Sequence, residues 1–146
     1  MLIYLARPID AAKEDPKVAY QHFAEDLLGG LSPAVPLVMY LPAPAFVVNG
    51  HIDHETAMQL VAINEAALEV CDIVVAEHNP GVSSYGVPQE IMRANENGKT
   101  ILIFSQSAGY WDLPVNLKAC VIEEHVFRVM EELQTGLIAL LADGGL

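Results

Sequence analysis

Short, uninterrupted apolar runs alternate along this chain with longer segments whose apolar residues recur at helical spacing, and few folds accommodate that alternation. Met1–Ala6 (MLIYLA, stopped by Arg7-Pro8), Asp72–Ala76 (DIVVA) and Thr100–Phe104 (TILIF) are rich in β-formers and bounded by turn or polar residues, the pattern of buried strands. Between them, Pro16–Leu28 sets Val18, Ala19, Phe23, Ala24, Leu27 and Leu28 at helical spacing, with Gly29-Gly30 beyond its end. Asp53–Val70 does the same with Ala57, Leu60, Val61, Asn64, Ala67 and Leu68, and Gly86–Asn97 reads as a helix stopped by Gly98. Strands that are apolar throughout must be covered on both faces, which predicts a parallel sheet between two helical layers.

The remaining segments complete the pattern. Ala34–Tyr40 (AVPLVMY) reads as a second strand, with Pro36 at its start or at an edge, and Leu41–Gly50 as a long loop over one rim. Ala119–Ile122 is expected to form a fifth strand after a loop from Ser105 to Lys118, and Val126–Leu141 a closing amphipathic helix. The expected fold is therefore α/β, a flavodoxin-like or Rossmann-like three-layer sandwich around a five-stranded, mostly parallel sheet, with residues 1–146 forming a single domain. In such sheets ligands settle outside the carboxyl ends of the strands, which here carry Arg7–Asp10, Pro42–Gly50, Glu77–Gly86 and Ser105–Asn116.

Composition narrows the partners. Hydrophobic residues make up 53% of the chain, as a covered sheet requires, and 19 acidic against 7 basic residues give a formal charge of −12. Such a surface repels polyanions, so no nucleic acid polymer is expected as a partner, although a few amides and a cation can still hold a small anion in a cleft. Cys71 and Cys120 lie in apolar stretches without CxxC spacing, as buried free thiols of a reducing compartment would. The first apolar run meets Arg7-Pro8 too soon for a signal core or a membrane span, so a cytoplasmic protein with no membrane partner is expected.

The segment CDIVVAEHNPGVSSYGVPQEIMRANENGKTILIF carries the most chemistry, because it places Ser83, Ser84, Gly86 and Glu90 at a strand-to-helix junction near the expected crevice. A helix beginning at Gly86 offers free N–H groups and a positive dipole end to a phosphate or sugar oxygen, with Ser84 as a further donor. Glu90, about one turn in, can point its carboxylate into the same cleft and attack an anomeric carbon. The residues alone leave a second reading open, in which Glu90 complements the helix dipole and Ser84 caps the helix. His51-Ile-Asp-His54-Glu55 has metal-ligand residue types but no partner motif, so it reads as a pocket rim or helix start and no metal is expected. Phe46, Tyr110 and Trp111 are loop aromatics that could stack on a base or pack a rim.

The sequence resembles the nucleoside 2-deoxyribosyltransferase superfamily, including its 2′-deoxynucleoside 5′-monophosphate N-glycosidases, through IYLA at the N-terminus, CDIVVAE in the middle, and SYGVPQE followed by GKTILIF. These motifs run in register across most of residues 2–104. The resemblance implies that Glu90 is the nucleophile and that Tyr4 lies close to it and to the sugar. It places Ser84, six residues before Glu90, where phosphate-binding members carry serine and the nucleoside transferases an aspartate for the 5′-hydroxyl. Serine tolerates a 5′-phosphate that a carboxylate would repel. Asn116 falls near the position at which a neighbouring subunit completes the sugar or phosphate site, so a homodimer or larger assembly is implied.

Two positions depart from the family pattern. Arg7-Pro8 replaces the glycine that usually follows the first strand; Arg7 could supply a cation near the phosphate or form a surface pair with Asp10 or Glu14. Asn64 stands where an aspartate commonly assists the leaving base, and an amide cannot act as an acid: it could hydrogen-bond a base edge, which leaves Asp53, Glu55, Glu65 or water to supply the proton, or it merely faces the interior. The function expected is cofactor-free hydrolysis of a nucleoside 5′-monophosphate through a glycosyl-Glu90 ester. Base exchange between nucleosides and a non-catalytic nucleotide sensor are the alternatives.

Overall fold

The computed structural model describes residues 1–7, 16–29, 38–40, 53–79 and 86–142. Its strands are β1 (Leu2–Ala6), β2 (Val38–Tyr40), β3 (Ile73–Glu77), β4 (Thr100–Phe104) and β5 (Val126–Phe127). Its helices are α1 (Pro16–Leu28), α2 (His54–Val70), α3 (Gly86–Glu96), the short α4 (Val115–Lys118) and α5 (Met130–Ala142). The five strands form one sheet in the order β2-β1-β3-β4-β5, and every neighbouring pair is parallel. This is the flavodoxin-like order anticipated from the alternation. The chain steps from β1 outward to β2, then returns past β1 to β3 and continues the other way. The connections leaving β1 and β3 therefore part to opposite faces and open a crevice at the carboxyl ends of those two strands.

The sheet is buried on both faces with a period of two. Tyr4, Ala6, Val74, Ala76, Ile101 and Ile103 face Ala67, Leu68, Val87, Ile91 and Ala94 of α2 and α3, together with Leu117 of α4. Ile3, Leu5, Ile73, Val75, Leu102 and Phe104 face Tyr20, Phe23, Leu27, Leu133 and Leu137 of α1 and α5. The helices are fixed at their ends by local chemistry. Asp53 caps α2 by accepting the Thr56 N–H at 2.7 Å. Gly98, at φ 70°, ends the run after α3 while the Lys99 N–H closes back on the Ala94 carbonyl at 3.0 Å, a left-handed turn that favours glycine. Cys71 and Cys120 are free thiols, the first buried and the second partly exposed.

The C-terminal third differs from the sequence expectation. Ala119–Ile122 is not a strand: α4 precedes it, and the Cys120 N–H is spent on the Leu117 carbonyl at 3.0 Å. The edge of β4 pairs instead with Val126 and Phe127, opposite Ile103 and Phe104. The last helix accordingly begins at Met130 and not at Val126. The expected loop from Ser105 to Lys118 holds a 3₁₀ turn at Tyr110–Asp112 as well as α4. Leu102 sits at the centre of this framework with no exposure, packed under Leu133 and Leu137. Leu102→Ala is expected to cost about 2–5 kcal/mol of unfolding free energy, read as a lower urea midpoint at an unchanged slope.

Candidate active site

The site is assembled from two strands and two helices. In α3, Val87, Ile91 and Ala94 are buried at intervals of four and three, so this stripe fixes the rotation of the helix on the sheet. Glu90 lies next to Ile91 at the edge of the stripe, which holds its carboxylate over the sheet and away from bulk water. In β1, alternation turns Tyr4 to the same side, and its ring is fully buried. The Tyr4 hydroxyl donates to Glu90 Oε2 across 86 residues of sequence. Tyr4 pairs in register with Val74 of β3 on one side and Tyr40 of β2 on the other, so the contact lies at the point where the strand order reverses.

Electrostatics follow from this burial. Desolvation pushes the Glu90 carboxyl up from 4.5 to about 7, partly opposed by the hydrogen bond from Tyr4, which favours the ionised form. The Tyr4 phenol is pushed far above its ordinary value, first by burial and then by the neighbouring Glu90 charge, so it remains a proton-bearing donor. Tyr20 of α1 is also held high by burial and by Glu90. Its hydroxyl is 3.2 Å from both the backbone N–H and the carbonyl of Arg7, which ties α1 to the end of β1.

Asn64 enters the site from α2, one turn before the buried Ala67 and Leu68. Its Oδ1 accepts from the Tyr40 hydroxyl at 2.7 Å, and the Tyr40 ring stacks on Tyr4 at 5.2 Å between centroids and 26° between planes. Asn64 and Glu90 line one cleft of about 410 Å³ between α2 and α3, with Val61, Leu68 and Met92 as apolar walls. Glu65 and Arg93 line it too and form an ion pair at 3.1 Å. The expected residues Tyr4, Asn64 and Glu90 thus come together, and Tyr40 joins them. The sequence does not mark Tyr40, because only the pairing of β1 with β2 sets it beside Tyr4.

Other expected residues fall elsewhere. Gly86 is the first residue of α3, as predicted, while Ser83 and Ser84 lie outside the described residues, as do Phe46 and His51. Arg7 does not reach the Glu90 cleft. By strand alternation its side chain goes to the opposite face, where Nε meets Glu77 Oε2 at 3.1 Å and one terminal nitrogen donates to the Ala19 carbonyl at 2.8 Å. Asn116 stands on α4 with its amide nitrogen 4.0 Å from Met92 Sδ, not among the residues lining the cleft. Tyr110 and Trp111 pack edge to face, with the Lys118 ammonium 5.9 and 5.6 Å from their ring centres. Of the carboxylates considered as acids, Asp53 is engaged as the α2 cap and only Glu65 borders the cleft. Among the described residues no cluster of His, Cys, Asp and Glu could hold a metal ion, and no helix is long and apolar enough to cross a membrane.

The architecture has solved counterparts. The 2-deoxyribosyltransferase of Bacillus psychrosaccharolyticus superimposes with a TM-score of 0.69 at 16% identity, covering 92% of this chain and 90% of that one. The 2-deoxyribosyltransferase of Leishmania mexicana gives 0.65 at 17% identity, covering 94% and 97%. The CMP N-glycosidase of Clostridium botulinum gives 0.54 at 18% identity, covering 95% and 98%. No protein-family model and no curated protein matches the sequence. The fold is thus one that this chain shares with two 2-deoxyribosyltransferases and an N-glycosidase.

The buried carboxyl has a consequence for stability. Between pH 4.5 and about 7, Glu90 ionises in the unfolded chain but keeps its proton in the folded one, so stability falls as pH rises through that window and levels off above it. The loss amounts to about 3 kcal/mol. Glu90→Gln, which still accepts from Tyr4, is expected to melt several degrees above the native chain at pH 8 and together with it at pH 4. Thermal melts across that range check both the sign and the window.

Proposed function

We propose that this chain hydrolyses the N-glycosidic bond of a (2′-deoxy)nucleoside 5′-monophosphate. The observation that carries the reading is the Glu90 carboxylate, held by the Tyr4 hydroxyl at the carboxyl ends of β1 and β3 and facing a cleft shared with Asn64. In this mechanism the ionised Glu90 attacks C1′, the C1′–N bond breaks, and its electron pair leaves with the base, which takes a proton from water. A second water then opens the glycosyl ester, freeing the sugar 5-phosphate and restoring the carboxylate. Tyr4 orients the attacking oxygen pair by donating to Oε2. The chemistry calls for no cofactor.

The N-terminal turn of α3, beginning at Gly86, is the proposed phosphate seat, with Ser83 and Ser84 as donors on the incoming segment. A serine six residues before Glu90 favours a phosphorylated substrate over a nucleoside. Arg7 is left out of this seat because its side chain pairs with Glu77 on the other face. Base exchange between nucleosides is the second reading, favoured by the higher TM-scores of the two deoxyribosyltransferases, 0.69 and 0.65 against 0.54. It shares the ester and differs in what resolves it.

The test is a panel of ribo- and deoxyribonucleoside monophosphates, with matching nucleosides, analysed by chromatography for free base. Release from monophosphates is expected, rising with pH as Glu90 ionises and levelling above about 7. Glu90→Ala is expected to lower it by at least about 10³-fold with the fold intact. Release by the alanine variant at the native rate would sink the nucleophile, and transfer to an added base in preference to water would move the assignment to base exchange.

A homodimer or higher homo-oligomer belongs to the same proposal. Met58, Val61 and Met92 are 58, 54 and 42% exposed on α2 and α3 beside the cleft, an apolar surface that a second copy could cover while bringing its own Asn116 to the site. Sedimentation velocity at micromolar concentration is expected to show a dimer or larger species, and a monomer throughout would remove Asn116 from the site.

A further inference from the structure

The ladder between β3, β4 and β5 runs one residue beyond the strands themselves. Glu77 pairs with Phe104, the His78 N–H donates to the Phe104 carbonyl at 2.8 Å, and the Ser105 N–H donates to the Phe127 carbonyl at 2.8 Å. Both residues therefore keep the alternation of their strands. Glu77 and Phe104 turn to the side of α1 and α5, where they meet Arg7 and Phe23. His78 and Ser105 turn to the side of α2 and α3, as Ala76 and Ile103 do before them, and on that face Glu90 meets Tyr4. Register makes the two neighbours on adjacent strands, about 5 Å apart. Neither side chain has a partner among the described residues: Ser105 is fully buried with an unpaired hydroxyl, and the half-buried His78 ring makes no hydrogen bond or ion pair. Burial holds the imidazole below its ordinary value, so at neutral pH it is uncharged and one ring nitrogen can accept a proton. Glu90 lies about 6 Å behind the first residue of α3, whereas His78 stands about 7 Å beyond Ala76, nearer the mouth of the crevice.

A buried hydroxyl beside a neutral imidazole offers one water both a donor and an acceptor, and ester hydrolysis needs a water so placed. We infer that His78 and Ser105 form the hydrolytic half of the site: Ser105 holds the water that resolves the glycosyl-Glu90 ester, and His78 takes its proton. The water oxygen bonds to C1′ as the bond from C1′ to the Glu90 oxygen breaks, and that bond pair returns to the carboxylate. One water proton passes to the His78 ring nitrogen and then to solvent, and the sugar 5-phosphate leaves with the new hydroxyl. An incoming base brings its own nucleophilic nitrogen and has no use for a held water, so this pair sets hydrolysis apart from exchange at the same ester. The inference rests on the proposed glycosidase reading and assigns its second step. Neither Tyr4 nor Asn64 can serve there, because the Tyr4 hydroxyl is engaged with Glu90 and an amide takes no proton.

His78→Ala, His78→Gln and Ser105→Ala are compared with the native chain on nucleoside monophosphates, with free base followed by rapid quench and sugar phosphate at steady state. Both His78 variants are expected to release base in a burst of about one per chain, while the ester on Glu90, followed by intact mass, decays about 10²-fold more slowly than on the native chain. Added imidazole is expected to restore part of the decay in His78→Ala. Ser105→Ala is expected to slow the decay about 10-fold and, without substrate, to melt at or above the native chain, because its hydroxyl satisfies no protein group. A purely structural role predicts the reverse, a lower melting temperature and equal slowing of base release and ester decay, and that result would overturn the inference. If the native chain releases base while His78→Ala resolves the ester at the native rate, the inference alone falls. If the native chain releases no base from any monophosphate, or passes the sugar to an added base in preference to water, the glycosidase reading fails and the inference falls with it.

Discussion

A carboxylate buried beside a phenol is an expensive arrangement, and most of the described structure is organised around making it possible. Taking Glu90 out of water disfavours its charged form, and the hydrogen bond from the Tyr4 hydroxyl offsets only part of that cost. The contact therefore persists because the groups on either side are immobile for other reasons. Tyr4 is a fully buried residue of a strand paired on both sides, and α3 is locked by Val87, Ile91 and Ala94. The hydrophobic framework holds an unfavourable polar contact at the one place where the sheet topology opens a crevice. A carboxyl poised near neutrality in a cleft is characteristic of functional sites, and it is hard to justify as a stabilising device.

The same topology explains why the two faces of the sheet have different roles. Residues on β1 alternate, so Tyr4 and Ala6 turn to α2 and α3 while Ile3, Leu5 and then Arg7 turn to α1 and α5. Arg7 is separated from the Glu90 cleft by the thickness of a strand, however near it stands in sequence. Its pairing with Glu77, at the corresponding end of β3, joins the two strands that flank the crevice. A cation at this position thus ties β1 to β3 on the face turned away from Glu90.

The legibility of these features in the sequence divides along the range of the interactions. Strands β1, β3 and β4 and helices α1, α2 and α3 were readable to within a residue or two, because each carries its own period and its own punctuation, as with Gly98 after α3. Glu90 was recognisable by its place at a strand-to-helix junction and by the motif around it. The fifth strand was not. Val126 and Phe127 are too few to show any period, while Ala119–Ile122 is apolar for a different reason, since Val121 packs into the core from irregular backbone. The face taken by Arg7 was legible, because counting by twos from Tyr4 along β1 puts it on the side opposite Glu90. Tyr40 was hidden by register: its neighbour Tyr4 is opposite it only once β1 and β2 pair, and no local pattern announces that.

Asn64 shows why register matters to function and not only to fold. Considered alone, an amide in a cleft offers hydrogen bonds and no acid. Set against Tyr40 it acquires a partner that its residue type does not announce, the Tyr40 hydroxyl at 2.7 Å. The Glu90 carboxyl, raised by burial to about 7, is a stronger base than an exposed glutamate and in that measure a better nucleophile once ionised. Asn64 and Glu90 are thus linked through two stacked tyrosines.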